Sequence, residues 1–189
     1  MARMTAAEFE ARYRADPDPW DYTESRYEAQ KYAATLDACG EGPFAGALEL
    51  GGSIGVFSAR LAPRCELLIA IDAAPSAVEA ARERLADQPQ AAVILGAIPA
   101  DVPRRPYDLV VASEILYYLG ERELAGTLAL LRRLMSPGAR LVAVHWRPAG
   151  AERPFTADEV HLRLRQEPWL VPVSRRDTAD YRLDILKRR

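Results

Sequence analysis

The sequence predicts an α/β fold: a doubly wound, mostly parallel sheet of seven strands, with helices on both faces and an antiparallel hairpin at one edge. Two patterns carry that expectation. From Ala45 onward, short apolar runs alternate with helical periodicity, the mark of parallel strands joined by right-handed helical crossovers. The chain then closes with two extended stretches and no helix between them, which makes an antiparallel pair. A third feature marks where a ligand would sit. The first apolar run, Ala45 to Leu50, stops at Gly51-Gly52, and Gly55 opens a helix. Backbone N–H groups are left bare there, beside a main chain that a ligand can approach closely.

Taken in order, the chain starts with helices. Thr5 and Glu8 are spaced as a capping box for a short helix through about Asp16, which Pro17 and Pro19 stop. After the irregular Asp16–Tyr22 segment, a second helix is expected over about Ser25–Cys39. Ser25 and Glu28 form its capping box, and Gly40 and Gly42 end it. Residues 1–44 therefore form a helical extension, suited to a lid with a Pro-Trp hinge, and residues 45–189 form the ligand-binding domain. Strands are expected at about 45–50, 66–72, 91–95 and 107–112, with helices at 54–63 and from Pro75 to Ala86. A helical stretch broken near Gly120 reaches Met135, and Ser136-Pro137-Gly138 makes a turn before strand five at 140–146. Thr156 starts a last helix to about Gln166, and the closing strands span about 169–174 and 180–187.

Composition excludes several classes. At 189 residues, with 49% apolar and 28% charged residues, the chain is long enough for one domain with a real core and is not disordered. A net charge of −2, without a basic face, argues against a nucleic-acid partner. No apolar run reaches the ~18 residues of a membrane span, and Met1–Thr5 lacks a signal-peptide core. Cys39 and Cys65 lack metal spacing and read as reduced thiols of a cytoplasmic protein, monomeric or a small homo-oligomer.

A second apolar run, Leu67 to Ile71, ends in Asp72, where a carboxylate would meet the hydroxyls of a nucleotide ribose. Glycine loop and acid together point to a nucleoside-containing cofactor. The dinucleotide fingerprint G-x-G-x-x-G is out of register, since the residues run Glu49-x-Gly51-x-Ser53-x-Gly55. This resembles the Glu-x-Gly-x-Gly-x-Gly motif of the class I, S-adenosylmethionine-dependent methyltransferases, with Ser53 at the middle glycine. The resemblance implies S-adenosylmethionine as cofactor, with Glu49 binding its ammonium directly or through water. Ligands of doubly wound sheets bind outside the carboxyl ends of the strands. That rule selects the loop with Gly51, Gly52 and Gly55, then Asp72 and Ala73, then Ala97 and Ile98 as a small apolar face for adenine. It also selects Ser113-Glu114 and His145-Trp146-Arg147.

Asp18-Pro19-Trp20, the helix with Tyr27, Glu28 and Lys31, the Gly51–Gly55 loop and the stretch Ala112–Leu119 resemble the NodS family over roughly residues 16–145. Those are methyltransferases that N-methylate the deacetylated sugar end of a chitooligosaccharide. Past strand five, His145-Trp146-Arg147-Pro148 departs from the family where the acceptor is expected. The resemblance implies that Trp20 and Lys31 close over the cofactor, Lys31 meeting its carboxylate. The implied reaction is displacement at a sulfonium methyl by a neutral amine; as the titratable side chains beside strand tips four and five, Glu114 is expected to bind or deprotonate the amine and His145 to assist or position it. Tyr117, Tyr118, Trp146 and Arg147 are expected at the acceptor, aromatic faces suiting sugars and cationic amines.

The expected partner is thus a small-molecule acceptor, an amine of an amino-sugar or oligosaccharide, without metal, nucleic acid or membrane. O-methylation of another small metabolite, or cofactor binding without catalysis, are the alternatives; the glycine register disfavours a nicotinamide enzyme. Each site residue also has a structural reading: Trp20 as a plug, Lys31 as an exposed helix lysine, Glu114 at a helix N-terminus, His145 as a satisfied strand-end histidine.

Overall fold

Strands buried on both faces read as continuous apolar runs, and the chain's central strands do so. In β4 (Tyr107–Ser113), Val110 and Ala112 pack on one side while Leu109 and Val111 pack on the other; in β5 (Met135–Trp146), Leu141 and Ala143 oppose Val142 and Val144. The computed structural model describes residues 3–148, 150 and 152–189. Met1 and Ala2, the start of the expected extension, lie outside the described residues.

The sheet is completed by β1 (Ala47–Leu50), β2 (Leu68–Asp72), β3 (Ala91–Leu95), β6 (Leu170–Asp177) and β7 (Tyr181–Arg188), in the order β3-β2-β1-β4-β5-β7-β6. Strands β1 to β5 are parallel, and β7 pairs antiparallel with both β5 and β6. The expected seven-stranded architecture with its antiparallel edge is the one observed. On one face lie α1 (Ala6–Ala15), α2 (Arg26–Cys39), α3 (Val56–Leu61) and α4 (Pro75–Arg84); α5 (Glu121–Leu134) and α6 (Ala157–Gln166) cover the other. Strand order reverses between β1 and β4, so the ligand crevice opens at their carboxyl ends.

Local chemistry explains where elements depart from expectation. Helix α3 ends at Leu61 and continues as a 3₁₀ turn, Ala62–Arg64, because Pro63 has no N–H to donate. The Ser136-Pro137-Gly138 turn is absorbed into β5 as a bulge: the register jumps from Tyr107↔Met135 to Leu109↔Arg140, with Gly138 at φ +78°. The stretch after β4 is a 3₁₀ turn, Leu116–Tyr118, followed by α5.

The N-terminal extension is fastened at defined points. The Thr5/Glu8 capping box of α1 forms in full. The residue before α4 is Ala74, which has no capping side chain. Glu10 of α1 takes that place, accepting from the Ser76 N–H at 2.9 Å and its hydroxyl at 2.7 Å. At the other end, Arg140 of β5 donates to the terminal carbonyls of α2, Ala38 and Cys39, at 2.8 and 3.0 Å.

Gly55 stands before α3 at φ +78°, and a Cβ there would fall 3.0 Å from Ala81 of α4. Gly55→Ala is expected to cost roughly 1–3 kcal/mol through the left-handed backbone and the contact. For a chain of this size that lowers Tm on the order of 2–10 °C, measurable by thermal circular dichroism; an unchanged Tm would contradict the close approach.

Candidate active site

At the switch point lies a cavity of about 740 Å³, lined from every side by residues that the sequence scatters. Gly51, Ser53, Asp72, Ala73, Ala97, Ile98, Ser113 and Glu114 form its floor at the strand tips. Trp20 and Lys31 come from the extension, and Tyr117, Tyr118 and Trp146 from the far wall.

The floor is shaped by backbone. At Gly51, φ is +75° and a Cβ would strike Ile115 at 2.9 Å. Ser53 adopts φ +50°, the left-handed conformation that its middle-glycine position calls for. Its N–H donates to Asp72 Oδ2 at 2.9 Å, and its hydroxyl lies 2.5 Å from that of Tyr13 on α1. Asp72 also accepts from the Ala74 N–H at 3.0 Å; burial raises its pKa against these N–H bonds.

Glu114 is the most constrained side chain on the wall. Its backbone sits at φ +55°, held by an N–H bond to Val144 O at 2.9 Å, a strain of roughly 1–3 kcal/mol that the surroundings must over-determine. Its carboxylate accepts from Lys31 Nζ at 2.7 Å, from the Trp146 N–H at 2.9 Å and from the Tyr117 hydroxyl. Lys31 also donates to Glu28 at 2.9 Å. The expected Ser25/Glu28 capping box is therefore half made: Ser25 accepts from the Glu28 N–H, but the Glu28 carboxylate turns to Lys31. Burial works against charge on Lys31, yet Glu114 and Glu28 outweigh it and raise its pKa; burial pushes Glu28 up against the pull of Lys31.

His145 is fully buried behind this wall and does not line the cavity. The Leu116 N–H donates to its Nε2 at 3.2 Å, so Nδ1 carries the proton and donates to His161 Nε2 at 3.0 Å. His161 Nδ1 then donates to Asp184 Oδ2 at 2.8 Å. Both rings are neutral in that chain. Burial, then the neighbouring His161, Lys31 and Arg153, hold His145 well below 6.5. The expected catalytic contact of His145 with the acceptor is corrected on this geometry: it anchors the Leu116–Tyr118 turn that carries Tyr117.

Some of the expected residues lie off the main cavity. Arg147 points away from the cavity, donating to Thr178 O at 3.0 Å and Asp158 at 3.2 Å. Glu49 is buried, accepts from Ser58 at 2.6 Å and, with Gly52, lines a small pocket beside the main cavity. Gly52 and Gly55 serve packing against Ala70 and Ala81. Trp20 both lines the cavity and plugs its loop, with Tyr13 and Tyr22 rings at 5.5 and 5.8 Å. Lys31 is buried, not an exposed helix lysine. Sequence reasoning missed Phe9, Arg12 and Tyr13 of α1, and Glu152 and Arg153 past β5. The first three share one helical face with Ala6, a spacing that could have revealed them.

This fold, with its ligand crevice at the β1/β4 switch point, is that of the class I, S-adenosylmethionine-dependent methyltransferases. The profile of the nodulation protein S (NodS) family matches residues 6–153, and the chain belongs to that family. Nodulation protein S of Rhizobium tropici is 33% identical over 141 residues, 74% of this chain and 59% of that protein. The chain thus spans under two thirds of the length of the curated relatives it matches, down to 49% for the Sinorhizobium fredii protein. Among solved structures, the N-methyltransferase NodS from Bradyrhizobium japonicum in complex with S-adenosyl-L-homocysteine superposes with a TM-score of 0.87. It is 24% identical, over 98% of this chain and 99% of that one. A putative methyltransferase from Pseudomonas syringae is 34% identical with a TM-score of 0.77, over 87% of this chain and 100% of that one.

Burial pushes the Glu49 carboxyl up to about 8, so at neutral pH the folded chain holds a proton there that the unfolded chain releases. The folded state binds more protons between about pH 4.5 and 8, so this contribution to stability falls as pH rises through that window. Glu49→Gln is expected to flatten the decline, which runs at roughly 1.4 kcal/mol for every pH unit across the window. Urea titrations at about pH 5, 7 and 9 measure it; an unaltered pH slope in the variant would mean Glu49 is ionised.

Proposed function

We propose that the chain is an S-adenosylmethionine-dependent methyltransferase acting on an amine of a small polar acceptor, an amino-sugar or oligosaccharide amine by likeness to NodS. The observation that carries this reading is the Glu114 carboxylate, fixed on the cavity wall at the β4 tip beside Lys31 and Tyr117. Family membership supports the reaction class.

The residues present fit the cofactor. A Cβ would find no room at Gly51, and the cavity lies within the ~300–1,000 Å³ range of small-ligand sites. Each Asp72 oxygen already holds one backbone N–H and keeps a lone pair for a ribose hydroxyl. Lys31 uses two N–H groups on Glu28 and Glu114, which leaves the third for a carboxylate. Ala73, Ala97 and Ile98 offer a small apolar wall, and Trp20 covers the cavity from the extension.

When bound, S-adenosylmethionine supplies an electrophilic methyl group on a sulfonium. Glu114 would accept a hydrogen bond from the acceptor amine and take up the proton that the amine loses on methylation. One of its oxygens must first exchange a present partner, and Tyr117 or the Trp146 N–H retains the other. Holding both reactants in line is worth on the order of 7–11 kcal/mol, more than the proton transfer itself. Helix α1 brings Phe9 and Tyr13 to the cavity wall.

Calorimetric titration is expected to show micromolar binding of S-adenosylhomocysteine and none of NAD; binding of neither would end the catalytic reading. Glu114→Gln is expected to lower turnover by about 10²–10⁴-fold at saturating S-adenosylmethionine, and wild-type turnover in the variant would remove Glu114 from catalysis.

A further inference from the structure

Arg153 is a buried cation lining the cavity beside Tyr117 and Trp146, with 7% of its surface exposed. Among the described residues its hydrogen bonds go only to backbone carbonyls, Pro148 O at 2.7 Å and Trp146 O at 3.3 Å. The carboxylates around it are engaged elsewhere: Glu152 pairs with Arg12, and Glu114 with Lys31 at 2.7 Å. Its guanidinium lies instead 4.6 Å from the Tyr117 ring centroid and 5.0 Å from that of Trp146. A guanidinium has five N–H donors, so two carbonyls leave donors unused at the cavity.

Taking an arginine out of water without a carboxylate is costly, and an anionic ligand would supply the missing counter-charge. The stacking also changes what the wall offers. A face of Tyr117 and a face of Trp146 already carry a cation, which disfavours a second cation there. The planar fork matches the two oxygens of a carboxylate or phosphate.

Its position separates it from the cofactor. Arg153 follows β5, whereas the glycine loop, Asp72 and the residues after β3 belong to the β1, β2 and β3 tips. Trp146 joins the two ends of the acceptor site: its N–H holds Glu114 and its carbonyl holds Arg153.

We propose that Arg153 forms an oxyanion subsite, and that the acceptor is an amine also bearing a carboxylate or phosphate, the amine facing Glu114 and the anion facing Arg153. This rests on the methyltransferase reading above. It narrows the acceptor from polar amines in general to anionic ones.

The test titrates wild-type protein saturated with S-adenosylhomocysteine with three probes: glucosamine, glucosamine 6-phosphate and glucosaminate. Expected is at least tenfold tighter binding of one anionic probe than of glucosamine, the phosphate or the carboxylate arm showing which oxyanion fits. In Arg153→Gln that preference should fall to within threefold, with S-adenosylhomocysteine affinity unchanged; Arg153→Lys, keeping charge without the fork, should retain part of it. Equal or tighter binding of glucosamine, no binding of any probe, or a preference that survives Arg153→Gln would each overturn the subsite. So would a tenfold loss of S-adenosylhomocysteine affinity in Arg153→Gln, which would assign the arginine to the cofactor. Should that variant not fold, the wild-type preference and the lysine variant decide. Failure here with intact S-adenosylhomocysteine binding leaves the methyltransferase reading standing, whereas loss of that binding in the wild-type chain removes both.

Discussion

One buried ammonium, Lys31 Nζ, joins the N-terminal helices to the sheet. It lies between Glu28, three residues back on its own helix, and Glu114 at the end of β4. Removing one partner of a buried pair typically costs about 3–5 kcal/mol. The contact also sets the distance from α2 to the strand tips, and so the depth of the cavity between them. The extension is therefore part of the site's construction.

The same carboxylate is held from the opposite side. Glu114 occupies a backbone conformation unfavourable for its residue type, and the turn after it is tied through the Leu116 N–H to His145, His161 and Asp184. Asp184 in turn accepts from Arg165 and Arg175 at 3.1 and 3.2 Å. Strands β5 and β7, the antiparallel edge and α6 thereby support a group none of them carries. A chain of buried, fully partnered groups with one tautomer assignment gives that carboxylate a rigid reference.

The ring of aromatic residues around the cavity has two functions that its composition does not separate. Phe9, Trp20 and Tyr22 pack the extension onto itself and onto the wall, Phe9 meeting Tyr118 edge-on at 5.0 Å. Tyr117 and Trp146 instead carry the guanidinium of Arg153. Two of the aromatic residues that read as an acceptor wall, Tyr117 and Trp146, thus become in three dimensions a cation's seat.

Most of the architecture was legible in the chain itself. Apolar runs ending in Gly51-Gly52 and Asp72, helices opened by Thr5, Pro75 and Thr156, and a closing strand pair follow from local periodicity and backbone chemistry, which adjacent residues determine. Gly51, Ser53, Asp72 and Glu114 meet at the cavity because strand tips of a doubly wound sheet all face one crevice. Only the tertiary structure decided the rest. A strand's last residue can point into the crevice or behind it, and a difference of one position turned His145 inward while Trp146 faces the cavity. Whether Glu28 caps its helix or pairs with Lys31, and whether Arg153 meets a carboxylate or two rings, depends on groups up to 83 residues apart in sequence. Electrostatics and packing between distant segments leave no local trace, which is why the fold was written in the sequence and the partners of its charges were not.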